Sequence, residues 1–224
     1  KAKLELYSVD GTTLLNKDFK NERIIRMNVI KNGVFLVDLE PNETQVNRKQ
    51  EIYNVKGDLL YESQNITDYQ PSPQADYMVW LEKTGDGVDL KKLDLQGKLK
   101  LLTRLHGNIA RIESFSDDGK YLLILDGQEI EKVAPSGKKY RKMDFMYFNE
   151  DKLLWMKTIE AEGHSGSTLS RKGKYVIIGY NTDYVCKENK MDGETYKSCN
   201  NWAKQLKVFD AATQKTIYDG LKDE

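Results

Sequence analysis

Two kinds of short hairpin alternate along this chain, and that alternation constrains the fold more than any other feature. The first kind joins a polar, Ser- or Asn-bearing stretch through a tight turn to an apolar run. It reads VIKNGVFLVDL (29–39), PSPQADYMVWLE (71–82), SFSDDGKYLLILD (114–126) and TLSRKGKYVIIGY (168–180). The second kind reads LELYSVDGTTLL (4–15), QEIYNVKGDLLY (50–61), LKKLDLQGKLKLL (90–102), DFMYFNEDKLLW (144–155) and LKVFDAATQKTIY (206–218). Runs of Val, Ile, Leu, Tyr and Phe separated by NG, DG, KG, QG and SG pairs are the punctuation of successive hairpins. No sustained 3.6-residue apolar stripe carries helix-capping signals, so an all-β chain is expected.

With Gly33, Asp76, Gly119 and Gly173 taken as equivalent, the repeat is 43, 43 and then 54 residues. That lies near the length of a four-stranded propeller blade. In such an array each sheet packs face to face on its neighbours, so a blade's second strand is covered on both sides and reads as a continuous apolar run. YLLIL and YVIIG fit this position, while the more polar KLKLL and QKTIY suit an outermost strand. The expected fold is a β-propeller of four-stranded antiparallel blades forming one domain. Four complete blades cover about 22–64, 66–105, 108–159 and 165–219, and residues 1–19 supply a half blade. The unpaired half leads to the expectation that its inner strands come from further chain of a longer protein, the alternatives being an unusual ring closure or an open arc with an exposed edge. Association through the incomplete blade is a lesser expectation.

Acidic and basic residues balance at 35 each in 224 residues, so no strong overall field draws the chain to nucleic acid or to an anionic surface. Basic clusters at 136–142 and 89–100 are interleaved with acids and read as solvated strand faces. The longest apolar runs are only of strand length, far short of the roughly 20 residues of a membrane-spanning helix, so no membrane insertion is expected. There is no P-loop, dinucleotide glycine fingerprint, H-E-x-x-H or EF-hand spacing. GHSGS lacks the second glycine and the strand-turn-helix setting of a nucleophile elbow. No catalytic residue, metal or cofactor is expected.

GHSGSTLSRKGKYVIIGYNTD (163–183), followed after an insertion by LKVFDAATQKTIYDG (206–220), resembles a WD-repeat blade. In that family a Gly-His pair precedes the first strand and a Trp-Asp or Phe-Asp pair ends the third. Gly163 and His164 match the former, and Phe209 and Asp210 the latter. LHGNIARIESFSDDGKYLLILD (105–126) is a second match, with His106 and a Ser-x-Asp-Gly-Lys turn. Departures from the strict pattern make the chain look more like the divergent bacterial WD-like and peptidase-type propellers. The resemblance implies a binding platform, with His164, Asp183, Phe209, Asp210, His106, Gly119 and Gly173 as structural blade positions. His164 is expected to be hydrogen-bonded within its blade.

Both cysteines, Cys186 and Cys199, fall in the insertion between second and third strands of the last blade. Met191-Asp-Gly-Glu194 reads as a turn bringing the ends together. The spacing suits a disulfide-pinned hairpin in an oxidising compartment; the alternatives are two unrelated thiols or a weak metal site. In propellers of this kind such loops lie where partners usually dock. Tyr184, Tyr196 and Trp202 offer aromatic surface, and Lys187, Lys190 and Lys197 offer charge. Packing of the hairpin's base is the competing role for Tyr184 and Trp202. The leading expectation is an exported, non-enzymatic module binding a protein or an envelope polymer. The alternatives are a propeller domain of a larger hydrolase, an enzyme with an axial active site, or an intracellular WD-type scaffold.

Overall fold

The computed structural model describes residues 2–29, 33–41, 48–134, 137–182, 187–191, 194–198 and 203–221, which form strands and turns with no α-helix. They fall into two compact units, Lys1–Arg104 and Leu105–Glu224.

The first unit opens with a two-stranded antiparallel sheet of β1 (Ala2–Tyr7) and β2 (Thr13–Phe19). A four-stranded antiparallel sheet follows in chain order: β3 (Glu22–Val29), β4 (Phe35–Pro41), β5 (Lys49–Tyr53) and β6 (Leu59–Ser63). The next is formed in the same way by β7 (Ile66–Pro71), β8 (Tyr77–Thr84), β9 (Gly87–Asp94) and β10 (Leu99–Leu105). Successive side chains of a strand point to opposite faces, and both faces of β4 are covered, with Asp38 and Glu40 buried on the same face as Leu36. Leu36 packs with Trp80, Met78 and Leu93 on one side. Phe35, Val37 and Leu39 pack with Leu4 and Phe19 on the other. A buried charge network also holds β2 to this sheet: Lys17 Nζ donates to Glu51 Oε2 (2.8 Å) and to the Tyr53 hydroxyl. Burial works to raise the Glu51 pKa, but hydrogen bonds from Lys17, Lys49 and Tyr53 outweigh it and hold the carboxyl below its usual range.

In the second unit β11 (Ile109–Phe115), β12 (Tyr121–Val133), β13 (Lys139–Asn149) and β14 (Lys152–Ala161) form one antiparallel sheet in chain order. The last sheet contains β15 (Gly163–Leu169) and β16 (Tyr175–Thr182). A separate hairpin of β17 (Lys187–Met191) and β18 (Glu194–Ser198) intervenes before β19 (Ala203–Asp210) and β20 (Thr216–Leu221) complete it. Leu122 to Leu125 of β12 are all buried. In β16 Val176 and the run from Ile178 to Asn181 are buried, with Val176, Ile178 and Tyr180 packing with Phe145, Tyr147 and Trp155 of the preceding sheet, while Ile177 is half-buried.

One turn joins first to second strand in three of the four-stranded sheets. Ser72, Ser116 and Ser170 each donate a backbone N–H to the carbonyl of Tyr77, Tyr121 and Tyr175 (2.9, 3.0 and 2.9 Å). Each serine Oγ accepts the N–H of the same tyrosine (3.3, 3.0 and 2.9 Å). The third residue after the serine takes positive φ: Ala75 (54°), Gly119 (71°) and Gly173 (67°). The equivalent of Gly119 in the β7–β8 turn is therefore Ala75 rather than Asp76. At Gly173 the space a Cβ would need is occupied by the Tyr121 ring. That ring stacks on Tyr147 at 5.3 Å, and the Tyr147 hydroxyl donates to the Gly173 carbonyl (2.6 Å).

Candidate functional site

Strand β15 does not run true against β16. His164 lies opposite Tyr180 and Gly166 opposite Gly179, leaving Ser165 as the extra residue of a bulge. A Cβ at Gly179 would meet the Ser165 hydroxyl, so glycine there gives the bulged side chain its room. In front of Gly166 the space is open. Two facing positions thus lack side chains, and the sheet surface sinks into a recess of about 380 Å³. Ser165 and Thr168 of β15 and Gln205 of β19 give it polar groups, and Ile177 of β16 and Leu206 of β19 give it apolar ones. Among the described residues no charged side chain lines it. Ser167 lines the recess as well, but its hydroxyl is committed elsewhere, donating to Glu113 Oε2 (2.6 Å). Glycines inside strands commonly mark places where another backbone or a ligand comes close, and a volume of this order suits a small ligand or a short chain segment.

Beside the recess, β15 meets β11 of the preceding sheet along a polar seam. The Leu169 N–H donates to Ser114 Oγ (2.9 Å), and Ser167 holds Glu113 as described. The His164 ring is buried against Phe145, with centroids 5.6 Å apart. Its Nε2 is 3.5 Å from Glu113 Oε2 and has no hydrogen-bond partner. Burial pushes the imidazole pKa down and Arg111 adds to this; Glu113 and a hydrogen bond with the Gly166 backbone oppose it, and burial prevails. The groups facing the His164 ring thus belong largely to the adjacent sheet.

The other residues singled out from sequence are distributed as follows. Phe209 is buried in the core shared by the two sheets. Asp210 caps the β19–β20 turn, accepting the Thr213 N–H (2.8 Å) and hydroxyl (2.9 Å), which hold its carboxyl below its usual range. His106 has an exposed side chain and contributes its backbone instead: its N–H and that of Gly107 donate to the Asp126 carboxylate (3.0 and 2.7 Å). In the insertion, Lys187 pairs in register with Ser198, Asn189 with Tyr196, Lys190 with Thr195 and Glu188 with Lys197. Asp183, Tyr184, Cys186, Cys199 and Trp202 lie outside the described residues. Because β16 ends at Thr182 and β19 begins at Ala203, the hairpin segment leaves the sheet beyond the Thr182–Ala203 pair, while Gly179 and Leu206 pair in the middle of the same ladder. Cations of the 136–142 cluster have acidic partners: Lys139 with Glu131 (3.5 Å), Arg141 with Glu129 (3.8 Å) and Lys142 with Asp144 (3.6 Å). Among the described residues no three His, Cys, Asp or Glu side chains converge as metal ligands would. The recess and Glu113 escaped the sequence reading; the available signal was the pair of glycines, 166 and 179, within otherwise strand-like runs.

No family model and no curated protein sequence matches this chain. Solved structures do. The β-propeller domain of the trilobed protease from Pyrococcus furiosus aligns with a TM-score of 0.54 and 12% identity over 90% of this chain and 59% of that one. The acylaminoacyl peptidase of Pyrococcus horikoshii, in its orthorhombic crystal form, aligns with a TM-score of 0.55 and 10% identity over 88% of this chain and 32% of that one. In its uncomplexed form the same peptidase gives 0.50 and 13% over 88% and 39%. This chain therefore spans less than two thirds of each of these neighbours. At such identities the likeness speaks to fold: repeated four-stranded antiparallel sheets and propeller neighbours together make this chain a β-propeller.

Proposed function

We propose that the chain is a non-enzymatic propeller module that binds a protein or an envelope polymer at its last sheet. The recess over Gly166 and Gly179 and the β17–β18 hairpin together form the contact surface. The observation that carries this reading is the recess itself, a glycine-floored depression with hydroxyl, amide and aliphatic lining, on the same sheet that the insertion interrupts. Among the described residues its lining offers hydrogen bonds and apolar contact without a convergent acid and base, which supports recognition. The 183–202 insertion contributes Tyr184, Tyr196 and Trp202 as aromatic anchors and Lys187, Lys190 and Lys197 as charge. An exported location accompanies this reading, with Cys186 and Cys199 joined in a disulfide. Its support is the hairpin register, in which Lys187 and Ser198, their immediate sequence neighbours, are paired. A second reading, the propeller domain of a larger hydrolase, is favoured by the peptidases among the structural neighbours.

The test compares three forms in affinity capture from an envelope extract: the parent, a form with 185–200 replaced by a short Gly-containing turn, and Leu206→Arg. The expected result is one species, identified by mass, retained by the parent and lost from both altered forms, which rebinds the parent when purified. Retention by all three forms, or capture of nothing by any, overturns the proposal.

A further inference from the structure

We propose that protonation of His164 forces the seam between β11 and β15 to rearrange, making this joint between neighbouring sheets responsive to acid. The His164 side chain is 9% exposed and that of Glu113 8%. Nε2 is cut off from solvent and lacks a hydrogen-bond partner. The oxygen facing it, Glu113 Oε2, stands 3.5 Å away and already accepts the Ser167 hydroxyl. That separation exceeds the roughly 2.7–3.2 Å of an N–H···O hydrogen bond. With the ring neutral and Nε2 bare, an acceptor faces a carboxylate with no donor between them. A proton on Nε2 creates a donor too far from Glu113 Oε2 for a normal hydrogen bond, together with a charge in a site stripped of water whose desolvation Glu113 offsets only in part. Relief comes from closing β11 onto β15 or from swinging the ring out to solvent. Both move a seam that the Ser167–Glu113 and Leu169–Ser114 hydrogen bonds otherwise fix.

The surroundings set the direction. From β11 come Glu113 and Arg111, from β13 the uncharged Phe145 ring, and from β16 Tyr180 opposite in register. On β12 Asp126 is occupied by the His106 and Gly107 N–H groups, and Glu162 is buried just before β15. Desolvation dominates, so the folded ring holds its proton less tightly than the ordinary imidazole value of 6.5. The unfolded chain then takes the proton first. The stability contributed by the neutral ring is fully present above about pH 6.5 and is lost as pH falls through the lower, folded value.

With two histidines in the chain, an exposed-site variant, His106→Gln, assigns the His164 imidazole signals for an NMR titration. The expected result is a His164 midpoint below 6.5, with backbone amides of 113–115 and 167–169 shifting at that same midpoint. Glu113→Gln, which removes the favourable carboxylate, is expected to lower the midpoint further. His164→Gln is expected to remove part of the acid-side fall in thermal midpoint seen in the parent. A midpoint at or above 6.5, amide shifts confined to the residues flanking His164, or no response to Glu113→Gln overturns the proposal. Should His164→Gln fail to fold, the titration of the parent decides alone.

Discussion

Gly173 shows how one residue serves both a turn and an interface. Its φ of +67° suits glycine, and the Tyr121 ring of the neighbouring sheet stands where a side chain would begin. Gly173→Ala is expected to cost about 2–4 kcal/mol, combining left-handed strain with overpacking. Gly137→Ala, also at positive φ but facing open space, is expected to cost only the strain, about 1–2 kcal/mol. Urea midpoints of the two variants check this, and equal losses would refute the packing contribution. At this scale the sequence was partly legible. Gly119 and Gly173 announce their turns, whereas Ala75 holds the same conformation without announcing it, so the repeat was set one residue out at Asp76. The Gly-His pair drew attention to His164 in the sequence, but its neighbour Glu113 belongs to another sheet. Nothing local ties residues so far apart; only the folded packing of β11 against β15 does.

The serine-to-tyrosine turn is the smallest element that recurs. A backbone N–H, a hydroxyl and a positive-φ residue close it in the same way at Ser72, Ser116 and Ser170. Ser170→Ala removes the acceptor for the Tyr175 N–H and is expected to cost about 1 kcal/mol, read as a lower urea midpoint without change in slope; an unchanged midpoint would show that the backbone hydrogen bonds suffice. Strands were the most legible elements, because covering a sheet on both faces leaves an unbroken apolar run such as YMVWL or YLLIL, and hairpin glycines mark where the run stops. The recess was not legible. It arises only when a bulge at Ser165 brings Gly166 opposite Gly179, a cross-strand coincidence that neither β15 nor β16 contains alone.

For the whole molecule, hairpin alternation and repeat length pointed to the propeller from sequence alone, while its function stayed out of reach because a fold of this kind hosts unrelated functions. The disulfide proposal is the cheapest to test at this scale. Alkylation of the native chain without reductant is expected to leave the intact mass unchanged, and two adducts would refute the bridge. A closed loop of this size is worth about 3 kcal/mol in the chain-entropy model. One feature of the last sheet bears on how such a molecule changes over time. Strands β16 and β19 keep continuous pairing from Tyr175 with Asp210 to Thr182 with Ala203, although the whole 183–202 insertion separates them in the chain. Length added at that point does not propagate into the ladder. The scaffold is therefore a tolerant host, and the segment it carries is free to diversify, or to be exchanged by grafting, while the sheet beneath retains its register.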